Sequence, residues 1–142
     1  MRPKTENPPT QYRCNTDVVP TLACAALALL ATPAAAIDVP AGQPMELQEV
    51  LVDDLGEETW LRFRFVAPQI ERGADYEVIA GDMIHLCDAL ALPYIADYAL
   101  TGDVIVISFA DRETEFGVAD PDAVQFFEAF RAPEGACIWE GL

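Results

Sequence analysis

Three groups of side chains have types and spacings that could do chemistry. Met83, His85 and Cys87 offer soft metal ligands two residues apart. The surrounding apolar residues repeat with a helical period, however, and on a helix His85 points away from the face that Met83 and Cys87 share. The three cannot converge on one ion, so the sequence assigns Met83 to the core, Cys87 to a bridge and His85, the only histidine, to the surface. No serine or second cysteine is marked out by context as a nucleophile for that histidine to activate. Asp111, Glu113 and Glu115 form the second group, with Arg112 among them, and could serve acid–base chemistry or hold calcium. With 24 acidic residues in the chain, such a cluster arises by number alone, and nothing matches the glycine-centred ligand loop of a calcium hand.

The third group is Trp60, Arg62 and Arg64. Thr59–Val66 alternates, with Leu61, Phe63 and Phe65 on one face and Trp60, Arg62, Arg64 and Val66 on the other, as in a half-buried strand. A large ring and two guanidinium forks on one face suit a carboxylate-bearing ligand or an acidic protein segment. Cross-strand pairing with Glu46, Glu49 or other acids is the structural alternative. This is the candidate interaction surface. No catalytic, cofactor or metal-ligating set is assigned, and no cofactor is implied.

The elements that must position these residues begin after an N-terminal export signal. Arg2, Lys4 and Arg13 precede an apolar run from Thr21 to Thr32, which Pro33 closes and Ala34-Ala35-Ala36 follows. This is the layout of a secretory peptide with an A-x-A site, and cleavage is expected between Ala36 and Ile37. The run is shorter than the roughly 18 to 20 residues that cross a bilayer, so no membrane span is expected after processing. Cys24 lies inside the run rather than after it, which argues against lipidation. Residues 1–36 are thus read as a cleaved signal and 37–142 as one small domain, periplasmic or secreted.

Removal of that segment takes three of the eight basic and two of the 24 acidic residues, leaving five arginines against 22 acids and a net charge of −17. So acidic a surface is repelled by nucleic acid phosphates and anionic lipid. Of four cysteines, Cys14 and Cys24 leave with the signal, and Cys87 and Cys137 remain. An even pair in an oxidising compartment reads as a disulfide, and its wide spacing is unlike a redox-active C-x-x-C.

Within the domain, Met45–Asp54 and Thr59–Val66 read as a hairpin about the turn Leu55–Glu58. Ile79, Met83, Leu86 and Leu90 make the stripe of an amphipathic helix, which Pro93 stops or kinks. Asp103–Phe109 has the apolar, β-branched run of a central strand buried on both faces. Asp111–Gly117 is a charged connection or short strand. Asp120-Pro121 has the residue types of a helix cap and first turn, and Ala123, Phe126, Phe127 and Phe130 then form the apolar side of a second helix. Ala136–Glu140 is a last short strand. The predicted order is ββαβ(β)αβ, an α+β two-layer sandwich with two helices on one face of a mostly antiparallel sheet.

Four segments together resemble a known group: Trp60-Leu61-Arg62-Phe63-Arg64-Phe65, Asp111-Arg112 through Phe116-Gly117, Gln125-Phe126-Phe127-Glu128-Ala129, and Cys137-Ile138-Trp139-Glu140. The chain is similar over most of residues 37–142 to an uncharacterised family of small exported alphaproteobacterial proteins, some of them labelled acetolactate synthase. That label does not suit this chain, because a thiamine diphosphate enzyme needs several hundred residues, a Gly-Asp-Gly cofactor motif and a cytoplasmic cofactor supply. The resemblance implies the fold and the address without a reaction. Two functional expectations follow: a non-catalytic exported binding or accessory module, with an envelope protein as partner, or a small periplasmic enzyme using acidic residues and Arg112.

Overall fold

The computed structural model describes residues 37–141. The apolar run, Cys14, Cys24 and Ala36 of the expected cleavage position lie outside the described residues. β1 (Glu46–Asp54) and β2 (Thr59–Val66) form the antiparallel hairpin. Its turn places Gly56 at φ 88°, where only glycine sits without strain, and the Asp54 carboxylate accepts from the Gly56 amide at 2.8 Å. The alternation of β1 is broken because a bulge between Leu47 and Glu49 inserts an extra residue.

One helical run, Tyr76–Asp97, returns the chain so that β3 (Val104–Ala110) pairs parallel with β2. β4 (Gln125–Arg131) and β5 (Ile138–Glu140) add antiparallel strands, giving a five-stranded sheet in the order β1-β2-β3-β4-β5. The core lies between the helical run and one face of this sheet. Leu61, Phe63 and Phe65 of β2 meet Ile105, Ile107 and Phe109 of β3, Phe130 of β4, and Ile79, Met83 and Leu86 of the helix. Phe63 packs edge-on to Tyr94, with ring centroids 5.5 Å apart.

The helical run comprises α1 (Tyr76–Leu86), a wider π-turn (Cys87–Ala91) and α2 (Leu92–Asp97). Pro93 neither stops nor breaks it. Proline has no amide to donate and its ring crowds the carbonyl four residues back, and the widened turn just before it absorbs both defects. By length and composition the run could cross a bilayer, a test that core helices also pass. Here it packs on the sheet through Ile79, Met83, Leu86, Cys87 and Ala91. Asp75 caps its start by accepting from the Glu77 amide. Buried Asp82 accepts from the Ala41 amide at 2.9 Å and from Gln43 Nε2 at 2.8 Å, so α1 anchors the lead-in to β1.

The α+β class stands, but two parts of the expected layout do not. The sheet is mixed, because the β2–β3 pair is parallel. The expected second helix is absent: Phe126, Phe127 and Phe130 lie in β4 instead, and Ala123 in the turn before it. Phe126 and Phe130 are four apart, a spacing that suits one helical face and also suits alternate strand positions. Tertiary context decides between them. β3 is buried on both faces, and without β4 its second edge would leave a row of amides and carbonyls unpaired. Asp120 still accepts from the amides of Asp122 and Ala123 at 3.1 and 3.3 Å, so its capping chemistry serves a turn.

Cys87 and Cys137 form a disulfide, Cα atoms 6.1 Å apart, that ties the π-turn to the residue before β5. The Cys137 amide donates to the Asp88 carboxylate at 2.7 Å beside it. The bridge closes a loop of about fifty residues, worth about 4 kcal/mol of unfolded-chain entropy.

Candidate functional site

β2 sets Trp60, Arg62 and Arg64 on the face of the sheet opposite the helical run, because Leu61, Phe63 and Phe65 take the core face. No helix among the described residues covers this open face. Val104, Val106 and Ala129 make a small buried cluster there, with Trp60 packed against it. The connection from β3 to β4 swings across the face. Thr114, in that connection, is buried, and it receives Arg64 Nη2 on its carbonyl at 2.9 Å and on its hydroxyl at 2.7 Å, and Gln48 Nε2 on its carbonyl at 2.8 Å.

The two arginines hold different positions. Arg64 pairs with Glu49 and straps Thr114, and its side chain is only 11% exposed. Arg62 pairs through Nε with Asp53 at 2.7 Å, and among the described residues it hydrogen-bonds through Nε alone. Its guanidinium lies over two rings, 4.9 Å from the centroid of Trp60 and 5.3 Å from that of Phe116. Both arginines therefore pair with acids of the neighbouring strand β1, while Arg62 keeps its Nη fork available. They border a groove of about 230 Å³ whose walls include Val106, Ser108, Phe116, Val118 and Phe127. Phe127 is 60% exposed, and Phe116 and Val118 are about half exposed.

At one end of the same face runs a charged network. Trp60 Nε1 donates to Glu58 at 3.2 Å, Arg131 Nη2 donates to the other Glu58 oxygen at 2.6 Å, and Arg131 Nε pairs with Glu140. The Arg131 guanidinium, and then the Trp60 indole, hold the Glu58 carboxyl below its ordinary range. A groove of about 480 Å³ opens where the end of the sheet meets the end of the helical run, and is walled by Leu61, Leu92, Ile95, Leu100 and Ile105. Its one cation, Arg131, already serves Glu58, Glu140 and the Asp103 carbonyl.

The other predicted groups do not converge. His85 is exposed on α1, Met83 is fully buried, and Cys87 is in the disulfide. Among the described residues no three His, Cys, Asp or Glu side chains are placed to hold a metal ion. Arg112 is half exposed and grips Asp111 through two hydrogen bonds of 3.0 Å. That guanidinium lowers the Asp111 carboxyl below its usual range, the opposite of a carboxylate raised to act as an acid. Neither residue lines the groove beside Arg62 or the one beside Arg131.

One residue was missed altogether. Glu128 sits on the core face of β4, 9% exposed, taking hydrogen bonds from the Tyr76 hydroxyl and from Trp139 Nε1. The signal was the alternation Phe126, Glu128, Phe130, which reads as a core face only once the segment is taken as a strand.

The family of unknown function DUF6497 matches residues 18–142. The chain belongs to that family. No curated protein matches it, and no solved structure does. For this DUF6497 member, the site itself must therefore carry any functional reading.

Proposed function

We propose that this DUF6497 member is an exported, non-catalytic binding module, periplasmic or secreted, and that the open face of its sheet docks a protein partner at the cell envelope. The observation that carries the reading is the groove beside Arg62. A guanidinium fork held between the rings of Trp60 and Phe116 adjoins the exposed Phe127 and Val118. Arginine and aromatic side chains gathered about an apolar hollow are the composition of an interface hot spot. The matching occupant is a partner segment bringing apolar side chains to the groove and one carboxylate to the Nη fork. The disulfide and the A-x-A signal support export. In the alternative built on Arg112, that guanidinium is half exposed and paired with Asp111, whose carboxyl is lowered rather than raised.

The test is a native pull-down of the tagged protein from its own envelope fraction, scored by mass spectrometry, against Trp60→Ala with Arg62→Ala and, separately, Phe127→Ser. Expected is a stoichiometric partner that both variants lose while their circular dichroism is unchanged. Equal capture by the variants, or no stoichiometric partner, overturns the reading.

A further inference from the structure

We propose that a second groove, on the helical side of the sheet and separate from the open face, binds an alkylammonium ion, carried on a lysine side chain or on a free alkylamine. The groove holds about 250 Å³ and lies between α1 and the β4–β5 edge, with Glu77, Gly81 and Ile84 on one wall and Glu128, Phe130 and Trp139 on the other. That is below the roughly 300 to 1,000 Å³ of a drug-sized site and suits one side chain or one small amine.

Glu128 supplies the specific observation. It is 9% exposed, and both its hydrogen-bond donors, the Tyr76 hydroxyl and the Trp139 indole, are neutral. They orient the carboxylate without balancing its charge. Each carboxylate oxygen accepts two hydrogen bonds, so each retains one acceptor position. A buried charge without a counter-charge is costly. The five arginines among the described residues are engaged elsewhere: Arg62, Arg64, Arg112 and Arg131 with other acids, and Arg72 with the carbonyls of Pro121 and Asp122. No guanidinium among the described residues reaches Glu128, so a cation entering the groove would be the first to balance it.

The rest of the groove fits the rest of such an ion. Trp139, 58% exposed, offers its ring to a cation at the rim, and Glu77 adds a second carboxylate. A Cβ built on Gly81 would meet nothing within 4 Å, so the floor above it is open to an alkyl stem, with Ile84 and Phe130 as apolar walls. Two carboxylates and a domain charge of −17 exclude an anion.

The experiment follows the Trp139 indole resonance in ¹⁵N–¹H spectra of the disulfide-bonded protein, assigned with Trp60→Phe because the chain has two tryptophans. n-Butylammonium chloride is titrated against sodium chloride at equal ionic strength, and N-acetyl-lysine amide forms a second arm. Expected is a saturable shift with the ammonium probes and not with sodium, weakened about tenfold or more by Glu128→Gln. Gly81→Leu starts from a Cβ position with nothing within 4 Å and fills the groove from the exposed side of α1, so it should abolish the shift in a folded protein and decides the matter if Glu128→Gln unfolds. Tighter binding of the lysine amide assigns the site to a partner's side chain, and tighter butylammonium assigns it to a free amine. A shift no larger than sodium's with both probes, or one that survives Gly81→Leu, overturns the site.

Discussion

Arg62 and Arg64 stand two residues apart on one strand face, have the same chemistry, and do different work. Arg64 is nearly covered and holds three groups at once, the Glu49 carboxylate and the carbonyl and hydroxyl of Thr114. Removing it leaves the buried Thr114 hydroxyl without its donor and the Thr114 carbonyl with Gln48 alone. Arg64→Ala should cost about 1 to 3 kcal/mol in urea unfolding, and Arg64→Lys should restore only part, because one ammonium cannot span the three acceptors. Arg62→Ala breaks a partly exposed ion pair and two ring contacts, and should cost about 1 kcal/mol or less. Equal costs for the two alanine variants would show that Arg64 is not the strap of this face. The sequence placed both on one face but could not rank them, since the acceptors on Thr114 lie fifty residues away.

Among the elements, the second strand of the hairpin and the first helix were legible because their periods are clean. The segment from Asp120 to Arg131 was not. Its cap residues and its phenylalanine spacing agree with a helix, and only the open edge of β3 makes it a strand. Glycines show the same dependence on neighbours. Gly102, just before β3, lies against Leu61, and a Cβ there would stand 2.5 Å from Leu61 Cγ, which the core cannot accommodate. Gly102→Ala should cost about 1 to 3 kcal/mol. Gly81 in α1 has open space at that position, and Gly81→Ala should gain about 0.4 to 1 kcal/mol by restricting the unfolded chain. Melting temperatures of the two variants should therefore move in opposite directions. A shared direction would contradict the packing of Leu61 on Gly102.

For the whole molecule, a charge of −17 on residues 37–142 sets the response to pH and salt. Five arginines leave most of the 22 acids without a cation, and these repel one another at neutral pH. Added salt screens this repulsion, so the melting temperature at pH 7 should rise with ionic strength. Glu58 and Asp111 add a response to pH, since Arg131 and Arg112 hold their folded-state pKa below the ordinary value. The stability they contribute is present above the unfolded carboxylate pKa of about 4 and is lost as pH falls through their lower folded values. The melting temperature should therefore fall as pH is lowered through that range. A melting temperature that salt lowers at pH 7 would contradict this balance. The disulfide works at the same scale, and Cys87→Ser with Cys137→Ser should lose about 4 kcal/mol by closing no loop in the unfolded chain.

The amino-acid order by itself determined the export signal as an expectation, the hairpin with its two-faced second strand, the apolar stripe of the helix, the central strand and the pairing of the two cysteines. Each rests on local period, composition or simple parity. The tertiary structure alone decided the parallel partnership of β2 and β3, the strand identity of β4, the internal pairing of Arg62 and Arg64, and the burial of Glu128 without a cation. These depend on which backbone edges and charges remain unsatisfied after the rest of the chain has folded, a quantity that no window of sequence contains.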